Sequence, residues 1–172
     1  MNLEERMNNK MKRALVATIA VVGLVSSQFI NEIARAASDT ADATMTVLTA
    51  LTITNVSNLV FNDAEPGATS EVIAPGSSEN ANNASFTVSG EASTAYTITL
   101  PGDGTIIMTT GGGGANETIA VDSFASNPAA GANGLLDGAG SQNLFVGATR
   151  AALGAGQVPG AYTDTFTVTV VY

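Results

Sequence analysis

The stretch Tyr-Thr-Asp-Thr-Phe-Thr-Val-Thr-Val-Val-Tyr, residues 162–172, ends the chain and decides its fold class. One side of this segment carries Phe166, Val168, Val170 and Tyr172, whereas threonines fill most of the other side. Successive side chains of a β-strand point to opposite faces, and aromatic and β-branched residues favour strands. The alternation therefore predicts a strand with one buried and one exposed face.

A second long alternation lies between residues 43 and 53, where Ala43, Met45, Val47 and Leu51 share one face. Between the two segments, short runs of β-forming residues alternate with turn-like sequence. These runs are residues 59–61, 84–88, 96–100, 105–110, 119–121, 135–136 and 144–146. About eight to ten short strands at this spacing predict an all-β fold, an antiparallel β-sandwich.

The connections between the runs have equally clear signals. Pro101-Gly102-Asp103-Gly104 is a strong turn sequence, and it predicts that residues 105–110 return as a hairpin on residues 96–100. Glycine and asparagine cluster at residues 80–83, 127–134 and 154–160, which predicts surface loops.

The first 36 residues read as a secretory signal peptide. Lys10, Lys12 and Arg13 precede an apolar run over residues 14–25, and small residues at Ala34 and Ala36 follow as the cleavage signal. The prediction is a signal-peptide helix over residues 1–36, then a single β-sandwich domain over residues 37–172. The alternative is a retained membrane anchor, because residues 14–30 approach the length that spans a bilayer.

Removing residues 1–36 makes the protein strongly acidic. The whole chain has six basic and fifteen acidic residues, but residues 37–172 keep only Arg150 against twelve acids, a net charge of −11. Such a surface repels nucleic acid and anionic lipid. The sequence therefore predicts no nucleic-acid partner, contact with a membrane only through an uncleaved signal segment, and a periplasmic, cell-surface or extracellular location.

The residues that most catalytic sites need are missing. The chain has no histidine and no cysteine, and residues 37–172 have no lysine. Ser-His-Asp, Cys-His and Ser-Lys arrangements are therefore impossible, and zinc, copper and haem lack their usual ligands. Carboxylates remain for a glycosidase pair or a calcium site, but most of them lie in turn-like sequence, as Asp63 and Asp103 do. We expect a non-enzymatic protein without catalytic, cofactor-binding or metal-binding residues.

Several segments carry a family resemblance. They are Gly147-Ala148-Thr149, residues 159–172, residues 84–90, residues 96–101, and Leu51-Thr52-Ile53 with Leu59-Val60-Phe61. Together they resemble an uncharacterised family of secreted bacterial proteins that is classed as a domain of unknown function. The pattern Gly-x-Tyr-x-Asp-x-Phe-x-Val-x-Val-x-Tyr over residues 160–172 is also similar to the end of spore coat U type, or archaic chaperone–usher, pilin subunits. Phe61-Asn62 departs from the Phe-Gly of those pilins, and the chain cannot form the disulfide that many of them carry.

This resemblance implies an immunoglobulin-like sandwich that serves as a structural or adhesive subunit at the cell surface. In such pilins the sandwich lacks one strand, and an extension of the next subunit fills the gap. Ala43, Met45, Val47 and Leu51 would then be the donated side chains. The groove edge would be Phe166, Val168, Val170 and Tyr172.

Other interpretations remain open at this point. The same alternations also suit the first and last strands of a closed sandwich. Functionally, the alternatives to self-assembly or assembly with other surface proteins are a monomeric extracellular module that binds a glycan or a protein, and an enzyme.

Overall fold

The computed structural model describes residues 37–172. The predicted signal peptide, with Ala34 and Ala36, lies outside the described residues. The chain divides into two units, Met1–Met45 and Thr46–Tyr172. In the first unit, the described residues 37–45 contain no helix and no strand. No helix that could cross a membrane occurs in the described part of either unit.

Nine β-strands form the regular structure described in the second unit, and all of them pair in antiparallel fashion. They are β1 (Thr52–Ser57), β2 (Glu71–Val72), β3 (Ala84–Ser89), β4 (Ala95–Thr99), β5 (Ile106–Thr109), β6 (Thr118–Asn127), β7 (Gly131–Leu135), β8 (Ser141–Arg150) and β9 (Thr169–Val171). The larger sheet has the order β1-β3-β8-β6-β5, with β2 also paired to β8. The smaller sheet has the order β7-β4-β9. The predicted all-β, antiparallel sandwich is confirmed.

The core lies where β3 and β8 of the larger sheet pack against β4 and its neighbours. Val88, Leu144 and Val146 are fully buried there, and burying a side chain of this size stabilises the fold by about 1.5–3 kcal/mol. Tyr96 is the largest buried side chain, and its hydroxyl donates a 2.7 Å hydrogen bond to Gln142 Oε1. Burial raises the pKa of Tyr96 to about 12, so this hydroxyl remains a donor at ordinary pH.

The predicted hairpin at residues 101–104 is wrong. β4 belongs to the smaller sheet, whereas β5 pairs with β6 in the larger one. The turn residues bind β6 instead: Gly104 N donates to Asp122 Oδ1 at 2.6 Å, and Ser123 N donates to Asp103 Oδ1 at 2.7 Å. The turn signal is correct, but the chain uses this turn to cross between sheets.

The two alternating end segments form shorter strands than their patterns predict. Residues 46–51 of the second unit carry no strand, and β1 begins only at Thr52. Within residues 162–172, β9 covers Thr169–Val171, and Thr163 makes one isolated bridge to Thr109. Alternation indicates which face can be buried, but a strand also needs a hydrogen-bonded neighbour.

The asparagine cluster at residues 80–83 is anchored to the protein by one buried side chain, since Asn83 is 0% exposed. Its amide donates to the carbonyls of Pro75 and Ser78, and its Oδ1 accepts from Asn80 N at 2.9 Å. The prediction that all of residues 80–83 form a surface loop is therefore wrong at Asn83. This single side chain fixes the loop that leads into β3.

We expect Asn83→Ala to lower the free energy of unfolding by about 2–4 kcal/mol, because three backbone groups lose the buried side chain that bonds them. Urea unfolding followed by circular dichroism measures this loss. Asn133→Ala is the matched control, since Asn133 is exposed and makes one bond, to the Ala130 carbonyl. Equal stability of the two variants would contradict the structural role given to Asn83.

Candidate functional site

An open apolar groove lies over the half of the larger sheet that β5 and β6 form. Ile106 pairs with Val121 and Met108 pairs with Ile119, so the four side chains share one face. They line a groove of about 860 Å³. The smaller sheet has only three strands in the described residues, whereas the larger sheet has six. The floor is partly exposed at Ile106 and Met108, whereas Ile119 and Val121 are buried within the chain itself, at 7% and 2% exposed.

Two chain segments form the sides of this groove. Residues 58–64 contribute Leu59 and Phe61, and residues 158–166 contribute Phe166. Neither segment has a strand ladder, apart from the bridge at Thr163. Phe124 extends the apolar lining, with its ring centroid 5.2 Å from that of Phe166.

Backbone N–H groups on one edge of residues 58–64 have hydrogen-bond partners. Val60 N donates to the Asn82 carbonyl at 2.8 Å, and Asn62 N donates to the Glu71 carboxylate at 3.2 Å. Backbone groups of successive residues in an extended chain point to opposite sides. The N–H groups of Leu59, Phe61 and Asp63 make no hydrogen bond within residues 37–172. This segment thus has an edge on which another strand can pair.

The second side of the groove has a similar free backbone. Within the described residues, the N–H groups of residues 166–168 donate no hydrogen bond. β9 follows directly and pairs with β4 on one edge only. A sheet edge of this kind is a template for an added strand.

Hydrogen bonds hold the loop at one end of the groove. The Tyr162 hydroxyl donates to the Val158 carbonyl at 2.6 Å and accepts from Gln157 Nε2 at 2.9 Å. Gln157 is buried, and its amide also reaches the Thr118 carbonyl at 3.2 Å. The groove is therefore held open by fixed contacts.

Arg150, the one basic residue in the described part of the chain, lies in the groove lining. It is 5% exposed and sits opposite Val121 in the β6–β8 register. Its Nη1 and Nη2 donate to the carbonyls of Ala151 and Thr69 at 2.9 and 3.2 Å. Its Nε lies 3.6 Å from the Glu71 carboxylate and makes no hydrogen bond within residues 37–172.

The residues predicted to take part in strand exchange fall in different places. Ala43 and Met45 are exposed in the first unit, where Met45 is 84% exposed. Val47 is 78% exposed and does not line the groove, whereas Leu51 packs against the core. Of the four residues predicted to form the groove edge, Phe166, Val168, Val170 and Tyr172, only Phe166 lines the groove. Val168 is buried in the core and Val170 packs against it.

Tyr172 lies away from the groove and forms hydrogen bonds with Thr49 and Glu91. We call these three residues the clasp of Tyr172, Thr49 and Glu91. The Tyr172 hydroxyl accepts from Glu91 N at 2.6 Å and donates to the Thr49 carbonyl at 2.8 Å. Thr49 N donates to the Glu91 carboxylate at 2.9 Å, and this bond lowers the pKa of Glu91. A Cβ at Gly90 would collide with the Tyr172 hydroxyl, so the clasp also requires this glycine.

The floor of the groove was not predicted from the sequence. Ile106, Met108, Ile119 and Val121 show the ordinary alternation of half-buried strands. The sequence feature that points to the groove is the apolar run Leu59-Val60-Phe61, which forms no strand and lines the groove. Among the described residues, no group of three or more His, Cys, Asp or Glu side chains is arranged to hold a metal ion. The arrangement offers apolar burial and backbone pairing, which suit an extended polypeptide.

Comparison with known proteins gives one result. No curated protein and no solved structure matches the chain significantly. The family described as Domain of unknown function (DUF4402) matches residues 32–172, which is most of the chain and all of the described part. The protein is therefore a member of the DUF4402 family.

Proposed function

We propose that this protein is an exported, non-enzymatic structural subunit that assembles with copies of itself at the cell surface by β-strand complementation. The N-terminal segment of one copy, residues 37–48, fills the groove of the next. The observation that carries this proposal is the open groove, with apolar side chains on its floor and unpaired backbone along both sides.

The groove and the segment have matching chemistry. In an extended conformation Ala43, Met45 and Val47 point to one side, toward the apolar floor, and Thr44 and Thr46 point away. The free N–H groups of residues 59, 61 and 63 provide backbone pairing along one side, and the free N–H of Phe166 lies on the other.

The dimensions also agree. At about 3.3 Å per residue, the seven residues of 58–64 offer an edge of roughly 23 Å. Residues 41–48 would span roughly 26 Å when extended, which is enough to cover this edge. Val47 and Leu48 are exposed in the second unit and do not line the groove of their own chain. A second copy is therefore the occupant that this proposal names.

The similarity of residues 160–172 to archaic pilin subunits supports the same proposal, and with it an immunoglobulin-like topology. The charge is also suitable. A net charge of −11 keeps exported subunits apart in solution until a specific contact joins them.

Deletion of residues 37–49 tests the proposal. The full chain should give oligomers that persist in detergent without heating, seen as a ladder on a gel and as large species in sedimentation. The truncated chain should sediment as a monomer, because no donor strand is left.

Point variants separate strand donation from a general loss of the segment. Met45→Asp with Val47→Asp should abolish the ladder, because both charges would enter the apolar groove. Thr44→Asp with Thr46→Asp is the control, since these side chains point away from the floor. An oligomeric state unchanged by the truncation would show strand donation to be wrong.

A further inference from the structure

A second concave site lies on the outer face of the larger sheet, opposite the core. The β3–β8 register places Ser85 opposite Phe145 and Thr87 opposite Asn143. Leu144 and Val146 point to the core, so these four residues point to the other face. Together with residues 77–79, Val56, Asn127 and Pro128, they line a pocket of about 510 Å³, which we call the outer-face pocket.

The rim of the outer-face pocket is fixed in place. Buried Asn83 holds the loop that carries residues 77–79, through its bonds to the carbonyls of Pro75 and Ser78. Asn127 Nδ2 donates to the Gly76 carbonyl at 2.7 Å and so ties this loop to the opposite rim. A preformed site loses little conformational entropy when a ligand binds.

The pocket contains polar groups that have no partner in the protein. Ser85 is 3% exposed, yet its hydroxyl makes no hydrogen bond within residues 37–172. The side chains of Thr87, Asn143 and Glu79 likewise make no hydrogen bond in the described residues. None of these side-chain groups is among the fully enclosed atoms without a partner, so each can reach a ligand in the pocket and hydrogen-bond to it.

The chemistry of the lining selects the class of ligand. Hydroxyl, carboxamide and carboxylate groups can donate to and accept from adjacent hydroxyls of one ligand. Phe145, Pro128 and Val56 supply apolar surface for C–H groups. No cation lines the pocket and Glu79 adds a negative charge, so phosphate, sulfate and acidic sugars are disfavoured. The volume lies within the range of about 300–1,000 Å³ that is typical of small-molecule sites.

We propose that the outer-face pocket binds a neutral saccharide unit, with Ser85, Asn143 and Glu79 as its hydrogen-bonding residues. This site is separate from the groove, because the two lie on opposite faces of the larger sheet. Binding here does not depend on whether the subunits assemble.

Saturation-transfer NMR tests the proposal, because it observes the sugar and tolerates a large or oligomeric protein. The probes are glucose, galactose, mannose and N-acetylglucosamine, with glucuronate as the charged comparison. We expect saturation transfer to at least one neutral sugar and none to glucuronate. Ser85→Ala and Asn143→Ala should each weaken that binding by roughly threefold to tenfold, the effect of one lost hydrogen bond.

Two controls make the result specific. Asn133→Ala, which removes an exposed amide outside the pocket, should leave binding unchanged. Ser85→Ala should bind sugar less well without unfolding at lower temperature, because its hydroxyl has no protein partner to lose. Absence of transfer to all four neutral sugars, or transfer that both pocket variants leave intact, would overturn the proposal.

Discussion

A chain in which residues 37–48 are moved behind Tyr172 on a flexible linker should be a monomer that melts well above the truncated chain. The added segment would enter the groove of its own chain, which Phe166, six residues before Tyr172, already lines. Burial of Met45 and of Val47 contributes about 1.5–3 kcal/mol each. The linker also replaces a bimolecular contact with an intramolecular one, which raises the effective concentration of the segment.

Sedimentation and thermal unfolding followed by circular dichroism measure both parts of this result. The matched control carries Met45→Asp and Val47→Asp in the relocated segment, and it should melt with the truncated chain. If the relocated segment leaves the melting temperature unchanged, the groove does not accept these residues.

Replacement of Arg150 should have the second large effect, on stability. Arg150→Met leaves the Glu71 carboxylate without its cation and the carbonyls of Thr69 and Ala151 without donors. Breaking a buried ion pair in this way costs about 3–5 kcal/mol. Urea unfolding should therefore show a much lower midpoint for Arg150→Met than for the unaltered chain.

Two further variants distinguish the causes of this loss. Arg150→Lys should recover little, because an ammonium group cannot reproduce the forked contacts of a guanidinium. Adding Glu71→Met to Arg150→Met should recover part of the stability, since no unpaired charge then remains buried. A midpoint for Arg150→Met equal to that of the unaltered chain would contradict the structural role of this arginine.

The sequence predicted some strands well and others poorly: β7 (Gly131–Leu135) begins in a segment that was predicted as a surface loop, and residues 59–61 carry no strand. Residues 84–88 and 96–100 alternate clearly, and the structure has β3 and β4 there. The turn at residues 101–104 misled the pairing, because the bonds of Asp103 and Gly104 to β6 depend on a strand about twenty residues away. Local turn chemistry does not say which sheet the next strand will join.

The groove illustrates a different limit. Ile106 and Met108 have the pattern of any half-buried strand, and only the folded chain shows that they stay partly exposed in a groove. Asn83 likewise lies in a polar run that is typical of a solvated loop, yet its surroundings bury it completely. Alternation of residue types indicates the two faces of a strand. Whether one of those faces is buried depends on segments that are distant in sequence.

The clasp of Tyr172, Thr49 and Glu91 has a mechanical consequence for an assembly joined through residues 37–48. Tension applied to that segment would reach the subunit first at Thr49, where hydrogen bonds connect it to the side chain of the last residue. The load would then pass along β9 toward the segment that lines the subunit's own groove. Part of the pull would thus pass directly between the two chain ends, beside the path along the backbone into β1.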